Sequence, residues 1–209
     1  AFAPGLCVRA YGAAAAGSNF AGLVTAPSNT AIDEILDATS ELLDTACLGG
    51  DNGKVTLDAS LDDVNLVRIG DGEPPGAPDN VTYIDYNDPD DDELLKRLGD
   101  WVRSEAPNDP RETEQSGLDD FGVGAVDERS TDAHQTLVFA TPARAWKLIK
   151  ELSDVDGPKA VAETEYWDML AADEASMLTL PEFLLAGSGL EPAGQILVGG
   201  DHRQLPPVQ

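Results

Sequence analysis

Short apolar runs alternate along the chain with stretches whose apolar residues recur at helical spacing, and that rhythm belongs to an α/β domain with a mostly parallel sheet flanked by helices. The runs expected to form strands are Gly22–Ala26, Val64–Ile69, Thr136–Ala140, Met169–Ala172 and Gln195–Val198. The best-marked helix is Thr30–Ala46, where Ile32, Ile35, Leu36, Leu42 and Leu43 repeat at the helical period and Ser28-Asn29-Thr30 supplies capping side chains. Further helices are expected at Arg9–Ala16, Asp91–Ser104, Ala143–Leu152 and Leu178–Ala186.

Between Gly70 and Asp132 the composition changes. Pro74–Gly76, the acidic run Asp88–Glu93 and the polar stretch Pro107–Glu114 read as an acidic inserted subdomain with one helix and long exposed loops. The 209 residues then divide into 1–69 and 133–209, the two parts of one α/β domain, with 70–132 inserted between them. The acidic run reads as a solvated face.

Acidic residues outnumber basic ones 39 to 13, for a formal charge of −26, yet 42% of the residues are hydrophobic, so the chain has the means to fold around a core. Among the cations only Lys54, Lys96, Lys147, Lys150 and Lys159 are lysines. This composition resembles that of proteins from salt-loving archaea, whose acidic surfaces stay hydrated where the Debye length is about 3 Å at 1 M salt. The same charge argues against nonspecific nucleic-acid binding, which Lys and Arg drive by neutralising phosphates. Cys7 and Cys47 form no Cys-x-x-Cys and have no nearby His pair, so neither a disulfide framework nor a zinc site is indicated. Apolar stretches fall well short of the roughly 18–20 residues that span a bilayer, and no signal-peptide layout is present. A soluble, cytoplasmic protein with no membrane partner is expected. Beginning at Ala1 without Met and stopping at Gln209 after a Pro-Pro pair, the chain reads as a piece of something longer.

Two segments near the end carry the chemistry. Trp167–Ser176 is a short apolar strand ending in the adjacent carboxylates Asp173 and Glu174. At the C-terminal edge of a parallel sheet, where ligands bind, one carboxylate can hold Mg²⁺ through water while its neighbour deprotonates a water attacking a γ-phosphate. About twenty residues on, Gln195–Val198 runs into Gly199-Gly200-Asp201-His202-Arg203-Gln204-Leu205-Pro206-Pro207, in which the glycines permit a tight turn and the Gln amide can sense a phosphate oxygen. An early segment, Leu23–Asp33, puts Thr25, Pro27, Ser28 and Asn29 at a helix N-terminus, a neutral place for a phosphate or an ordinary cap. Thr136–Ala143 makes a similar junction with Thr141 at its tip.

Taken together and in this order, the four segments resemble motifs of superfamily 1 ATP-dependent helicases, in the branch of the RNA-surveillance and Okazaki-fragment-processing enzymes. The likeness extends from about Leu23 to Val208. It implies a RecA-like first motor domain using ATP and Mg²⁺, with Asp173 as the metal residue and Glu174 as the base. Gln204 is implied as γ-phosphate sensor, with Gly200, Asp201 and Arg203 in the same pocket. Thr25, Pro27, Ser28, Asn29 and Thr141 are implied contacts to single-stranded DNA or RNA.

The sequence departs from that family in identifiable places. No Gly-x-x-x-x-Gly-Lys-Ser/Thr phosphate loop is present. Gly49-Gly50-Asp51-Asn52-Gly53-Lys54-Val55 is a near miss on the wrong side of the early motif, and Ala1–Cys7, where the loop belongs, keeps only Pro4-Gly5. A start that is truncated or altered is the expected cause, and Val8–Ala16 the helix that follows the loop. Met177 stands where many relatives carry Gln, and the second RecA-like domain that closes over ATP is missing. The rival readings are a non-enzymatic nucleic-acid or protein binding module derived from a degenerate helicase, and a phosphate-loop ATPase that is not a helicase.

Overall fold

The computed structural model describes residues 2–16, 18–45, 47–49, 54–56, 64–85, 87–88, 91–103, 134–156 and 166–200. The elements run α1 (Ala3–Ala16), β1 (Phe20–Thr25), α2 (Asn29–Thr45), β2 (Cys47–Gly49), β3 (Lys54–Thr56), β4 (Val64–Gly70), β5 (Val81–Asp85), α3 (Asp92–Arg103), β6 (Gln135–Phe139), α4 (Pro142–Asp156), β7 (Trp167–Ala172), α5 (Leu180–Gly187) and β8 (Leu190–Val198). Six strands form one sheet in the order β5-β4-β6-β1-β7-β8, and every pairing in it is parallel. The expected α/β class, a parallel sheet flanked by helices, is the one observed, and its layout is consistent with a RecA-like sheet.

Two apolar layers cover the sheet because successive strand residues point to opposite faces. Phe20 and Val24 of β1, Leu137 and Phe139 of β6 and Met169 and Ala171 of β7 pack with Leu6, Cys7, Ala10 and Ala13 of α1 and Ile32, Ile35 and Leu36 of α2. On the other face, Leu23, Val67, Val138 and Leu170 meet Leu98 of α3, Ala145, Leu148 and Ile149 of α4 and Ala186 of α5. The central strands β1 and β6 are buried along their whole length, which is why they read in the sequence as continuous apolar runs.

Besides the short ribbon β2-β3, which was not expected, three elements differ from their expected form. Val81–Asp85 was not among the expected strands; as β5 it edges the sheet with only Ile84 fully buried, so it lacks the unbroken apolar run of a strand covered on both faces. With β5 in the sheet and Leu98 of α3 in the core, the described part of the segment read as an insertion builds the main domain; residues 104–133 lie outside the described residues. Helix α1 begins at Ala3, earlier than Arg9, because Pro4 is harmless in a first turn whose N–H groups need no intrahelical acceptor. Strand β8 begins at Leu190, ahead of a register shift against β7 between Trp167 and Met169 that the sequence pattern conceals.

Cys7 lies on the buried side of α1, its Sγ facing the Thr39 carbonyl, and burial pushes its thiol up to about 11. With Cys47 replaced by Ser, Cys7 in the folded chain at pH 8 is expected to react with a thiol reagent roughly 100-fold more slowly than after urea unfolding, since only the thiolate attacks. The folded chain keeps this proton at pH values where the unfolded chain loses it. Stability from this group is therefore intact below the ordinary thiol pKa and declines as pH rises from 9.0 toward 11.

Candidate nucleotide and nucleic-acid site

Because the sheet is parallel, all its strands deliver their C-terminal ends to one edge, and those of the residues singled out from the sequence that are described lie there. Strand β7 ends at Ala172 and hands over to Asp173 and Glu174, both half-buried. The Asp173 amide donates to the Thr25 carbonyl at 2.9 Å, and the Asp173 Oδ1 accepts from the Glu174 amide at 2.9 Å. Glu174 has φ 47° and ψ 34°, the one positive φ at a non-glycine residue among the described residues. Such a conformation costs about 1 kcal/mol or more for an L-residue. It turns the chain into a single 3-10 turn, Ala175–Met177, and the Glu174 carboxylate makes no capping bond to that turn.

Strand β8 closes the site from the other side. The Gly199 amide donates to the Ala172 carbonyl at 2.9 Å, and the Gly199 carbonyl accepts from the Ala175 amide at 2.8 Å. A Cβ on Gly199 would fall 2.3 Å from the Phe2 ring and 3.2 Å from the Asp173 Oδ1, while one on Gly200 would meet the amides of Ala175 and Ser176 at 3.2 and 3.1 Å. These glycines are required by close approach. The contacts of Gly199 also bring the start of α1, beside Phe2, next to Asp173. Asp201, Arg203 and Gln204 lie outside the described residues.

Beyond the turn, Thr179 caps α5. Its Oγ1 accepts from the Glu182 amide at 3.4 Å and the Glu182 carboxylate accepts from the Thr179 amide at 2.8 Å. The bond from the Thr179 amide, reinforced by its hydroxyl, holds the Glu182 carboxyl below its ordinary pKa. The turn carrying Asp173 and Glu174 is thus pinned by β1 and β8 at its start and by a capped helix at its end.

The implied nucleic-acid contacts occupy the neighbouring strand ends, β1 and β6. Ser28 and Asn29 are exposed, Pro27 and Thr141 half-buried. Thr25 is fully buried, so its hydroxyl does not face solvent. The Ser28 Oγ accepts from the Ala31 amide at 3.2 Å, the cap anticipated for this helix. The Asn29 Oδ1 accepts from Arg68 at 3.1 Å.

Arg68 is a buried cation beside the candidate site that the motif reading missed. It is buried in β4, where its Nε donates to the Asp33 Oδ1 at 2.7 Å and Nη1 donates to the Ile69 carbonyl. The sequence held one signal of it, a lone cation inside the apolar run Val64–Ile69. Arg144 on α4 also donates to the Ile69 carbonyl and pairs with Asp71, holding that carboxyl below its ordinary pKa by a side-chain hydrogen bond. Two guanidinium groups therefore stand at this end of the sheet despite the strongly negative whole.

The near miss at Gly49–Val55 has a different structure from a phosphate loop. Gly49 and Lys54 pair across the antiparallel ribbon β2-β3, and Lys54 opens a strand, Lys54–Thr56, where a phosphate loop would have its Lys open a helix. Among the described residues no cluster of three or more His, Cys, Asp or Glu is arranged to hold a metal, and no helix is long and apolar enough to cross a membrane. No protein-family model and no curated protein gives a match to the chain.

Proposed function

We propose that this chain is part of the first motor domain of a superfamily 1 ATP-dependent helicase, coupling ATP hydrolysis to movement on single-stranded DNA or RNA. The observation that carries the reading is the pair Asp173-Glu174 at the end of β7, enclosed by Gly199 of β8 and the start of α1, with the exposed Ser28 and Asn29 on the adjoining strand end.

The donor set fits Mg²⁺ bound with a nucleotide, which commonly takes only one or two carboxylates and fills its remaining positions with phosphate oxygens and water. Asp173 would hold it, through water or directly. The ion's contribution is to neutralise charge on the β- and γ-phosphates. Glu174 would orient a water and take its proton, and the left-handed backbone that sets its side chain apart from the 3-10 turn leaves the carboxylate available for this. Gln204, with Asp201 and Arg203, would read the γ-phosphate. Ser28, Asn29 and Thr141 would touch the strand through neutral groups, a mode that tolerates an acidic surface in high salt. A second RecA-like domain in the same parent chain completes the machine.

One observation favours a non-enzymatic binding module instead. The first turn of α1 is Ala3-Pro4-Gly5-Leu6, with neither the Lys nor the hydroxyl that phosphate-loop enzymes place there. Calorimetric titration of ATP into the parent protein, with its natural upstream residues and in molar KCl, decides between the two. Mg²⁺-dependent binding that weakens at least tenfold in Asp173→Asn is the expected result, ten-fold being about 1.4 kcal/mol. Binding undetectable at millimolar ATP would leave only the module. ATP hydrolysis without strand separation would point to a phosphate-loop ATPase of another kind.

A further inference from the structure

We propose that the outer face of α4 is a stacking platform for single-stranded nucleic acid, on which a base lies against the Trp146 ring while backbone phosphates meet Lys147 and Lys150. This rests on the reading of Ser28, Asn29 and Thr141 as strand contacts and carries the strand one step beyond them.

The first observation is the exposure of the ring. α4 turns Ala145, Leu148, Ile149 and Leu152 into the core, and Ala143, Trp146, Lys147 and Lys150 recur at helical spacing on the exposed side. Trp146 is 42% exposed and is the one exposed aromatic side chain among the described residues, whereas Trp167 is fully buried and Trp101 packs half-buried against the core. Ala143, on the same face one turn nearer Thr141, carries only a methyl group, so the helix itself places no bulk between the ring and the end of β6.

The second observation is charge, which selects the occupant. Acids number 39 among 209 residues, yet none occurs in residues 1–32 or 133–150, the two longest acid-free stretches of the chain. The first ends just past Ser28 and Asn29, and the second holds Thr141 and the exposed face of α4. Arg144 pairs with Asp71 and donates to the Ile69 carbonyl, so the outer face takes its positive charge from Lys147 and Lys150. In a chain of charge −26, acid is withheld where the strand contacts lie, and cations appear beside an exposed indole. That combination matches a polyanion with flat rings, because lysines neutralise phosphates and an aromatic face accepts any base. Stacking also persists in salt strong enough to screen the lysines.

The third observation is position. α2 begins on the α1 face of the sheet and α4 on the opposite face. A strand that touches Ser28 and Asn29 and then Thr141 crosses the sheet's edge from one face to the other, and the next surface in that direction is the first turns of α4. Helical side chains lean toward the N-terminus of their helix, so Trp146 and Lys147 reach back toward Thr141.

The test uses the full parent chain without ATP, titrated with oligothymidylate and with oligouridylate. Tryptophan emission and the anisotropy of end-labelled strands are read together. Binding of either strand is expected to quench Trp146. Trp146→Phe, which keeps an aromatic face, is expected to abolish that part of the emission change while affinity stays within about threefold, and Trp146→Ala to weaken binding at least about fivefold, the lower end of what one stacked base contributes. Lys147→Gln and Lys150→Gln are each expected to flatten the dependence of log affinity on log salt by about 0.7, the value for one phosphate contact on a single strand. These lysine variants and the quenching decide the matter even if Trp146→Ala fails to fold. Strand binding that leaves Trp146 emission unchanged, or that is as tight in Trp146→Ala, overturns the inference while the contacts at Ser28, Asn29 and Thr141 stand. No strand binding by the unaltered chain overturns both. Quenching that follows protein concentration without any strand, together with a dimer in sedimentation, assigns the face to a second copy and also overturns it.

Discussion

Replacing Glu174 with Gln in the parent protein is expected to lower ATP turnover by about 100- to 10,000-fold, the range contributed by a positioned general base, while nucleotide affinity stays within about threefold. The exchange is isosteric. It preserves the left-handed backbone at this position and keeps a hydrogen-bonding group on the attacking water, removing only the ability to accept its proton. Asp173→Asn differs in kind, because loss of the metal-holding charge weakens Mg²⁺-dependent binding before it affects chemistry. Phosphate release under saturating single-stranded nucleic acid, measured beside ATP titrations for both variants, separates the two roles. Turnover unchanged in Glu174→Gln would mean that the acidic pair is a solvated turn at a strand end.

The second large effect concerns stability. Asp33→Ala is expected to cost about 2 kcal/mol, somewhat below the 3–5 kcal/mol typical of breaking a fully buried ion pair, because Asp33 is 45% exposed. Arg68 is the vulnerable partner, since its side chain is only 4% exposed and would keep its charge with just the Asn29 oxygen and the Ile69 carbonyl as acceptors. The double variant Asp33→Ala with Arg68→Met is expected to be more stable than Asp33→Ala alone, since an apolar side chain of similar length in β4 removes the stranded charge. Urea unfolding in molar KCl reads both. A double variant no more stable than the single one would mean that the guanidinium is solvated or paired elsewhere, and that the bond to Asp33 is incidental.

How far the sequence could be read depended on burial. β1, β6 and β7 were legible because both of their faces are covered, and α2 because five apolar residues recur at its period beside Ser28, whose capping bond is present. β5 was hidden by its position at an edge, where Thr82 and Asp85 are admissible because the strand is only partly buried except at Ile84. Pro4-Gly5 concealed the start of α1, since both residues discourage a helix in its interior but are tolerated in a first turn. At the site, the strand-to-carboxylate junction at Asp173 was legible as a pattern, yet the conformation of Glu174 was not, because nothing in Asp-Glu-Ala-Ser demands a positive φ. That angle follows from tertiary bonds: the Asp173 amide is claimed by Thr25 and the Ala175 amide by Gly199, so the intervening residue must absorb the turn. Arg68 stayed invisible to motif reading for a related reason, as its partner Asp33 stands 35 residues earlier, in the helix α2 that precedes β4.

The bond from the Asp173 amide to the Thr25 carbonyl also acts as a mechanical link. Thr25 is the last residue of β1, and Ala26, Pro27 and Ser28 lead straight from it into α2. Proline stiffens that span, and Arg68 clamps its far end by holding both Asn29 and Asp33. One hydrogen bond and the three residues Ala26, Pro27 and Ser28 therefore separate the acidic turn from the start of α2, where Ser28 and Asn29 are exposed. The two ends of the site are joined through the buried end of β1.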